Sequence, residues 1–224
     1  MPKAFTEHEK ESIAERLLAQ GYKQFAAYGL KKTNVEELAE AAGISKGAFY
    51  IFYESKEALF MDVVEQAERR FRAEVLAAID LSGPSPRARL VAVLKKAFTL
   101  WKTIPLLQIF TRSDYELVFR RVPAEKIREH LRSDQEFFEE LVARCQGAGI
   151  PIRARTEEIS GLMYTLFFTS LHEDDFGPGK FTGTMDLLLE LVAAFCLGEV
   201  VIQAQNQAVP FSSVNKDHEN ELGD

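Results

Sequence analysis

Three residues in the stretch GISKGAFYIFYESK (43–56) offer chemistry at useful spacing: Lys46, Gly47 and Tyr50. A lysine ammonium can reach a guanine edge or a phosphate. A tyrosine hydroxyl can bond a phosphate oxygen while its ring packs on a sugar or a thymine methyl. A glycine lets a partner approach the backbone closely. On a helix of about 3.6 residues per turn, these three share one face with Ile51, and Phe49, Phe52 and Tyr53 occupy the opposite one. The aromatic cluster therefore divides. Phe49 and Tyr53 point inward as the core of a small domain, and Tyr50 points outward beside Lys46. Lys56 opens the next helix, where it adds a cation beside backbone amides that favour an anion. Thr33 offers a hydroxyl and an amide at another helix start. Such a set would hold a duplex from two sides.

Other reactive side chains form no comparable pattern. His8, His130 and His218 are scattered, and no Ser-His-Asp motif, Cys-His motif or glycine-rich phosphate loop is present. In LHEDDFG (171–177) the acids and the histidine are consecutive at a helix end. They cannot all converge on one ion, so a solvated terminus is expected there and no metal. Cys145 and Cys196 lie far apart, each in a helical pattern, as two reduced, half-buried thiols would. No enzyme activity and no cofactor are expected.

The formal net charge of −7 is unevenly distributed. Residues 1–56 hold eight basic and eight acidic residues and are neutral, so residues 57–224 carry the whole excess. Placement of basic groups, rather than net charge, decides phosphate contact. No apolar run reaches the roughly 18 residues of a membrane span. MPKAFTEHEK lacks the apolar core of a secretory signal. A cytoplasmic location and no membrane partner are expected.

Positioning these residues requires helices, and the hydrophobic period is helical almost throughout. Residues 7–28 carry Ile13, Leu17, Leu18, Tyr22 and Phe25 at that period, and Gly29 stops the run. Residues 34–42 make a short helix capped by Thr33 or Asn34, with Glu36 or Glu37 as box partner. Gly43 ends it, a third helix starts at Ser45, and Ser55 caps a long fourth one reaching about residue 80. DLSGPSPR (80–87) is the strongest break. Further helices are expected over 86–103, after Pro105, from Pro123 to Gly147, over 156–175 with a capping Thr156, and over 184–205. FGPGKFTG (176–183) reads as a loop. The chain is thus expected to be all-α. Residues 1–56 form a three-helix DNA-binding domain with its helix-turn-helix at about 34–53. Residues 57–208 form a larger helical domain, with 56–80 as the connecting helix. The polar, acidic residues 209–224 are expected to form a disordered tail.

Ala39 is small where two short helices must approach, Gly43 suits a left-handed turn, and Ile44 can plug the core behind it. TNVEELAEAAGISKGAFYIFYESKEALF (33–60) resembles the DNA-binding domain of the TetR (tetracycline repressor) family of bacterial transcription regulators. Thr33, Ala39, Gly43, Gly47, Tyr50, Lys56 and Leu59 fall at that family's characteristic positions, and the likeness covers roughly residues 6–62. It implies that Thr33, Lys46, Gly47, Tyr50, Phe52 and Lys56 approach DNA. Two positions depart from the pattern: Phe52 stands where the family often has His, and Tyr53 where it usually has Phe. The helical wheel sets Phe52 nearer the core, and the resemblance sets it near DNA. Taken with the residues, the resemblance implies a homodimer that binds a pseudo-palindromic operator on double-stranded DNA as a repressor. A small-molecule effector would release it.

The segments 156–175 and 184–205 are the most apolar helices, and their apolar residues wrap more than one face. That surplus calls for a second partner. Gly161, Thr165, Leu191, Ala194, Phe195 and Gly198 are candidates for a dimer interface, as pairs of such helices can form a four-helix bundle across a two-fold axis. Phe98, Trp101, Phe110, Tyr115, Phe119, Phe138, Tyr164 and Phe168 are candidate effector-binding residues. No charged residue is clearly forced inside, which favours an apolar or aromatic effector.

Overall fold

The computed structural model describes residues 5–80, 83–108, 117, 118, 120–176 and 179–200, and they contain helices and no strand. Helix α1 (Glu7–Lys32) starts at a capping box. The Thr6 hydroxyl accepts from the Glu9 N–H at 3.3 Å, and the Glu9 carboxylate accepts from the Thr6 N–H at 2.8 Å. Gly29 interrupts α1 with φ 75° and ψ 168°, a region open essentially to glycine alone, and one short turn follows it. Asn34, rather than Thr33, caps α2 (Val35–Ala41), its side chain accepting from the Glu37 N–H at 2.9 Å. Gly43, at φ 75°, reverses the chain, and the Ile44 N–H closes the turn on the Ala39 carbonyl at 2.9 Å. Ser45 then caps α3 (Lys46–Phe52), and Ser55 caps α4 (Lys56–Ala77), which ends in a 3-10 turn at Ala78–Asp80.

Helix α4 belongs to two hydrophobic cores. Its residues Ala58 to Ala67 pack with Leu17, Phe25, Leu38 and Phe49 of the first three helices. Phe71 and Val75 pack instead into the core of the body. A domain boundary drawn after residue 56 therefore falls at the start of a helix shared by both halves. Each fully buried Leu or Phe in such a core contributes about 1.5–3 kcal/mol. Gly21 permits the close crossing of α1 over α4, because a Cβ there would meet Val63 Cγ2 at 3.0 Å.

The body contains α5 (Pro86–Thr103), α6 (Pro105–Gln108), α7 (Ala124–Gly147), α8 (Thr156–Ser170) and α9 (Lys180–Cys196). Arg155, not Thr156, takes the cap position of α8, and its N–H donates to the Glu158 carboxylate at 3.0 Å. Helix α8 stops at Ser170, short of 175, and a separate 3-10 turn spans Glu173–Phe176. Helix α9 begins inside the stretch expected to be a loop. Phe181 explains the early start, since it is buried against Phe98 at a ring separation of 6.4 Å. Gly198, at φ 71°, explains the early end, its N–H closing on the Phe195 carbonyl at 2.9 Å. Residues 201–205 and the expected tail lie outside the described residues.

Candidate nucleic-acid interface and internal cavity

Short α3 holds its place through one face. Phe49 is fully buried, and Tyr53 packs beside it at a ring separation of 6.0 Å. Burial first, and the Asp62 carboxylate second, push the Tyr53 hydroxyl far above its usual range, so it stays a neutral core group. The opposite face carries Lys46, Gly47, Tyr50 and Ile51, all exposed, with Tyr50 at 52% and Ile51 at 64%. Lys46 meets Glu36 of α2 at 3.7 Å across solvent, a pairing too weak to hold it away from a phosphate. A Cβ on Gly47 would meet only Ser45 Oγ, at 3.9 Å. Nothing among the described residues requires a glycine there.

Three other sequence-predicted residues are placed differently. Thr33 is buried, and its hydroxyl and N–H both donate to the Gly29 carbonyl, at 2.9 and 3.3 Å. Lys56 points back under the end of α1, where its ammonium donates to the carbonyls of Leu30, Lys31 and Thr33 at 2.8, 3.2 and 2.7 Å. These carbonyls form the electronegative end of a helix, which a cation complements. Phe52 is half-buried, and its ring lies 5.9 Å from Phe5 against the small core. Thr33, Phe52 and Lys56 are thus engaged inside the domain, while Lys46, Gly47 and Tyr50 face out. Ile51 is the outward residue that sequence reasoning left unassigned, although the wheel had put it on that face.

A cavity of about 530 Å³ lies where the two cores meet. Met61, Val64 and Glu68 of α4 form one wall, and α7 and α8 form the others with Trp101 of α5. Of the predicted effector residues, Trp101, Phe138, Tyr164 and Phe168 line it. Phe98 does not, because it faces Phe181 between α5 and α9. Phe110, Tyr115 and Phe119 lie outside the described residues.

The expectation that no charged side chain is forced inside fails at this cavity. Glu68, His130 and Asp134 sit on its wall, each about four-fifths covered. His130 and Asp134 are one turn apart on α7, and Glu68 faces them from α4. His130 Nδ1 stands 3.7 Å from Glu68, and this buried nitrogen has no hydrogen-bond partner. Tyr164 of α8 donates to Asp134 at 2.8 Å. The Arg72 guanidinium bridges Glu68 and Asp134 from behind, in a separate groove that it shares with Glu65, Arg69 and Lys126. Burial, then the neighbouring Asp134 carboxylate, push the Glu68 carboxyl up to about 8 against the opposing pull of Arg72. One ligand atom from each of Glu68, His130 and Asp134 lies within 4.8 Å of the others. A divalent ion there would have to push Arg72 aside. Sequence spacing gave no hint of this grouping, because Glu68 comes from a distant helix. At 171–177, by contrast, His172 and Asp175 meet at 3.2 Å on an exposed turn, and Glu173 turns away to Lys102. Burial pushes the thiols of Cys145 and Cys196 up to about 11 and about 12, which suits inert core residues.

Helices α8 and α9 leave an apolar strip uncovered, with Leu162, Phe168, Leu187 and Leu191 exposed. Gly161, Thr165 and Gly198 are also exposed, and Phe195 is half-buried. Ala194 is buried in the protomer's own core and does not belong to that strip. The Thr165 and Thr169 hydroxyls donate to their own helix carbonyls, so the strip carries little unmet polarity.

Residues 17–63 match the family described as bacterial regulatory proteins, tetR family. The uncharacterized HTH-type transcriptional regulator YuxN of Bacillus subtilis (strain 168) is 35% identical over 96 residues, covering 43% of this chain and 31% of YuxN. A second such regulator from the same organism, YerO, is 43% identical over 51 residues, covering 23% of this chain and 18% of YerO. The chain thus spans less than a third of the length of these relatives. Among solved structures, the fatty acid degradation regulator FadR from Bacillus halodurans superposes with a TM-score of 0.57 at 16% identity, covering 87% of this chain and 97% of that one. FadR from Bacillus subtilis, solved in complex with stearoyl-CoA, gives 0.56 at 16% identity, covering 80% and 97%. The likeness of the body to these structures is one of fold, and the likeness to the tetR family of bacterial regulatory proteins rests on residues 17–63.

Proposed function

We propose that the protein is a cytoplasmic, ligand-responsive transcriptional regulator, a repressor that binds a pseudo-palindromic operator as a homodimer. The observation that carries the DNA reading is Gly47, a helical glycine with open space around it, flanked by exposed Lys46, Tyr50 and Ile51. Two such faces in one dimer would enter successive major grooves. The uncovered strip on α8 and α9 supplies a self-complementary surface for the dimer. Thr33, Lys56 and Phe52 support the reading head from within instead of touching DNA.

The cavity at the seam of the two cores is the effector site in this proposal, and an effector with an apolar or aromatic body fits its lining. FadR from Bacillus subtilis, similar in fold, was solved in complex with stearoyl-CoA, whose acyl chain is long and apolar. Coupling runs through α4. That helix forms a cavity wall with Met61, Val64 and Glu68, and Lys56 at its start is tied to the end of α1. An effector that favours one position of α4 would change the spacing of the two heads and shift the population away from the DNA-bound form.

The test is a titration of the protein with a duplex that it selects from a randomised pool, at several salt concentrations. Binding should weaken steeply with salt, and Tyr50→Ala should lose about tenfold in affinity or more. A flat salt response with an unchanged Tyr50→Ala variant would sink the DNA reading.

A further inference from the structure

We propose that the cavity is selective for a monovalent organic cation, a protonated or quaternary centre carried on an aromatic or aliphatic body. The inference rests on the reading of this cavity as the effector site. Its described lining includes three carboxylates, Glu68, Asp134 and Glu157, and no lysine or arginine. Among the described residues, Arg72 bonds both carboxylates from the neighbouring groove and does not line the cavity. The ligand side of the wall therefore offers negative groups, and the compensating positive charge lies behind them.

Geometry adds a direction to that wall. Asp134 is already held by Tyr164 and Arg72, whereas Glu68 receives one bond from Arg72 and stands beside the unpartnered His130 Nδ1. Glu68 is thus the carboxyl left to meet a ligand, and it does so as the anion above about pH 8. The rings of Trp101, Phe138 and Tyr164 line the same cavity, and Trp101 is stacked on Phe167 at 4.6 Å, which fixes its plane. Aromatic faces attract a desolvated cation, and a carboxylate in an apolar setting does so more strongly than one in water. An anionic head group would meet the same carboxylates with the opposite sign. A diffuse organic cation suits the site better than a compact divalent ion, because it can lie along the rings and leave the Arg72 bridge in place.

Trp101 is the chain's only tryptophan, so its emission reports occupancy of this cavity. The experiment titrates the full chain at pH 9, where Glu68 is ionised, with tetraphenylphosphonium and with tetraphenylborate, two ions of the same shape and opposite charge. The proposal expects tetraphenylphosphonium to shift Trp101 emission at a Kd at least tenfold below that of tetraphenylborate. It expects Glu68→Gln to abolish the difference and Glu157→Gln, an exposed position that leaves folding intact, to reduce it. Equal or tighter binding of tetraphenylborate overturns the charge selectivity while leaving the cavity as the effector site. A preference that persists in both variants also overturns the assignment to this wall. Failure of both ions to perturb Trp101 overturns both readings.

Discussion

The reading head and the cavity use charged side chains in opposite ways. In the head, the groups offered to a partner face outward, and the polar groups that look most functional are engaged within the fold. Lys56 closes three helix-end carbonyls, and Thr33 is buried on Gly29. In the body, the carboxylates of Glu68 and Asp134 are turned into a cavity, and the cation between them is kept behind the wall. A head built to meet phosphate can leave its cations in water, where a ligand finds them by local charge. A cavity must hold its polar groups in partial burial, where an unpaired one is costly and a paired one is selective.

The largest expected effect tests whether Lys56 belongs to the fold or to the surface. Lys56→Met removes a cation from three carbonyls, which should destabilise the protein by about 2–4 kcal/mol and lower Tm by several degrees. Should Tm stay unchanged while DNA affinity falls, Lys56 belongs with the outward face after all.

The second prediction concerns Glu68, whose carboxyl is raised to about 8 from the usual 4.5. A raised acid holds its proton more tightly in the folded state than in the unfolded one. Its contribution to stability is complete below about pH 4.5 and declines as pH rises toward 8. Glu68→Gln lacks that decline. Melting curves should show the variant gaining on the wild type by about 1–3 kcal/mol between pH 5 and pH 9. Parallel profiles would mean that the carboxyl is solvated, and the contrast with the head would weaken.

Lys46 provides the third, on the outward face. Lys46→Ala should leave Tm within about a degree or two, as expected for an exposed side chain whose ion pair with Glu36 spans solvent. The slope of DNA affinity against salt should fall by about 1. An unchanged slope would remove Lys46 from the interface.

Gly47→Ala gives the smallest effect and the sharpest sign. With nothing among the described residues to clash, alanine should stabilise α3 by up to about 0.5–1 kcal/mol. DNA affinity should nevertheless drop. Gain of both stability and affinity would show that no close partner approaches that face.

Much of the head could be read from the chain because its determinants are local. Gly43, Ser45 and the spacing of Phe49 and Tyr53 set a turn, a cap and a buried face within a dozen residues. The burial of Thr33 and the inward reach of Lys56 could not, since each depends on where the end of α1 comes to rest. The same applies to α9, whose start Phe181 draws back toward Phe98.

By itself, then, the sequence determined the helical class, the turn and cap residues of the head, and the outward set of Lys46, Gly47 and Tyr50. Periodicity, capping and glycine conformation act between near neighbours. Only the tertiary structure decided that Glu68 of α4 faces His130 and Asp134 of α7, with Arg72 behind them and Tyr164 of α8 above. Helices separated by some sixty residues set that charge pattern by their packing, and no local spacing encodes which face each will turn to the other.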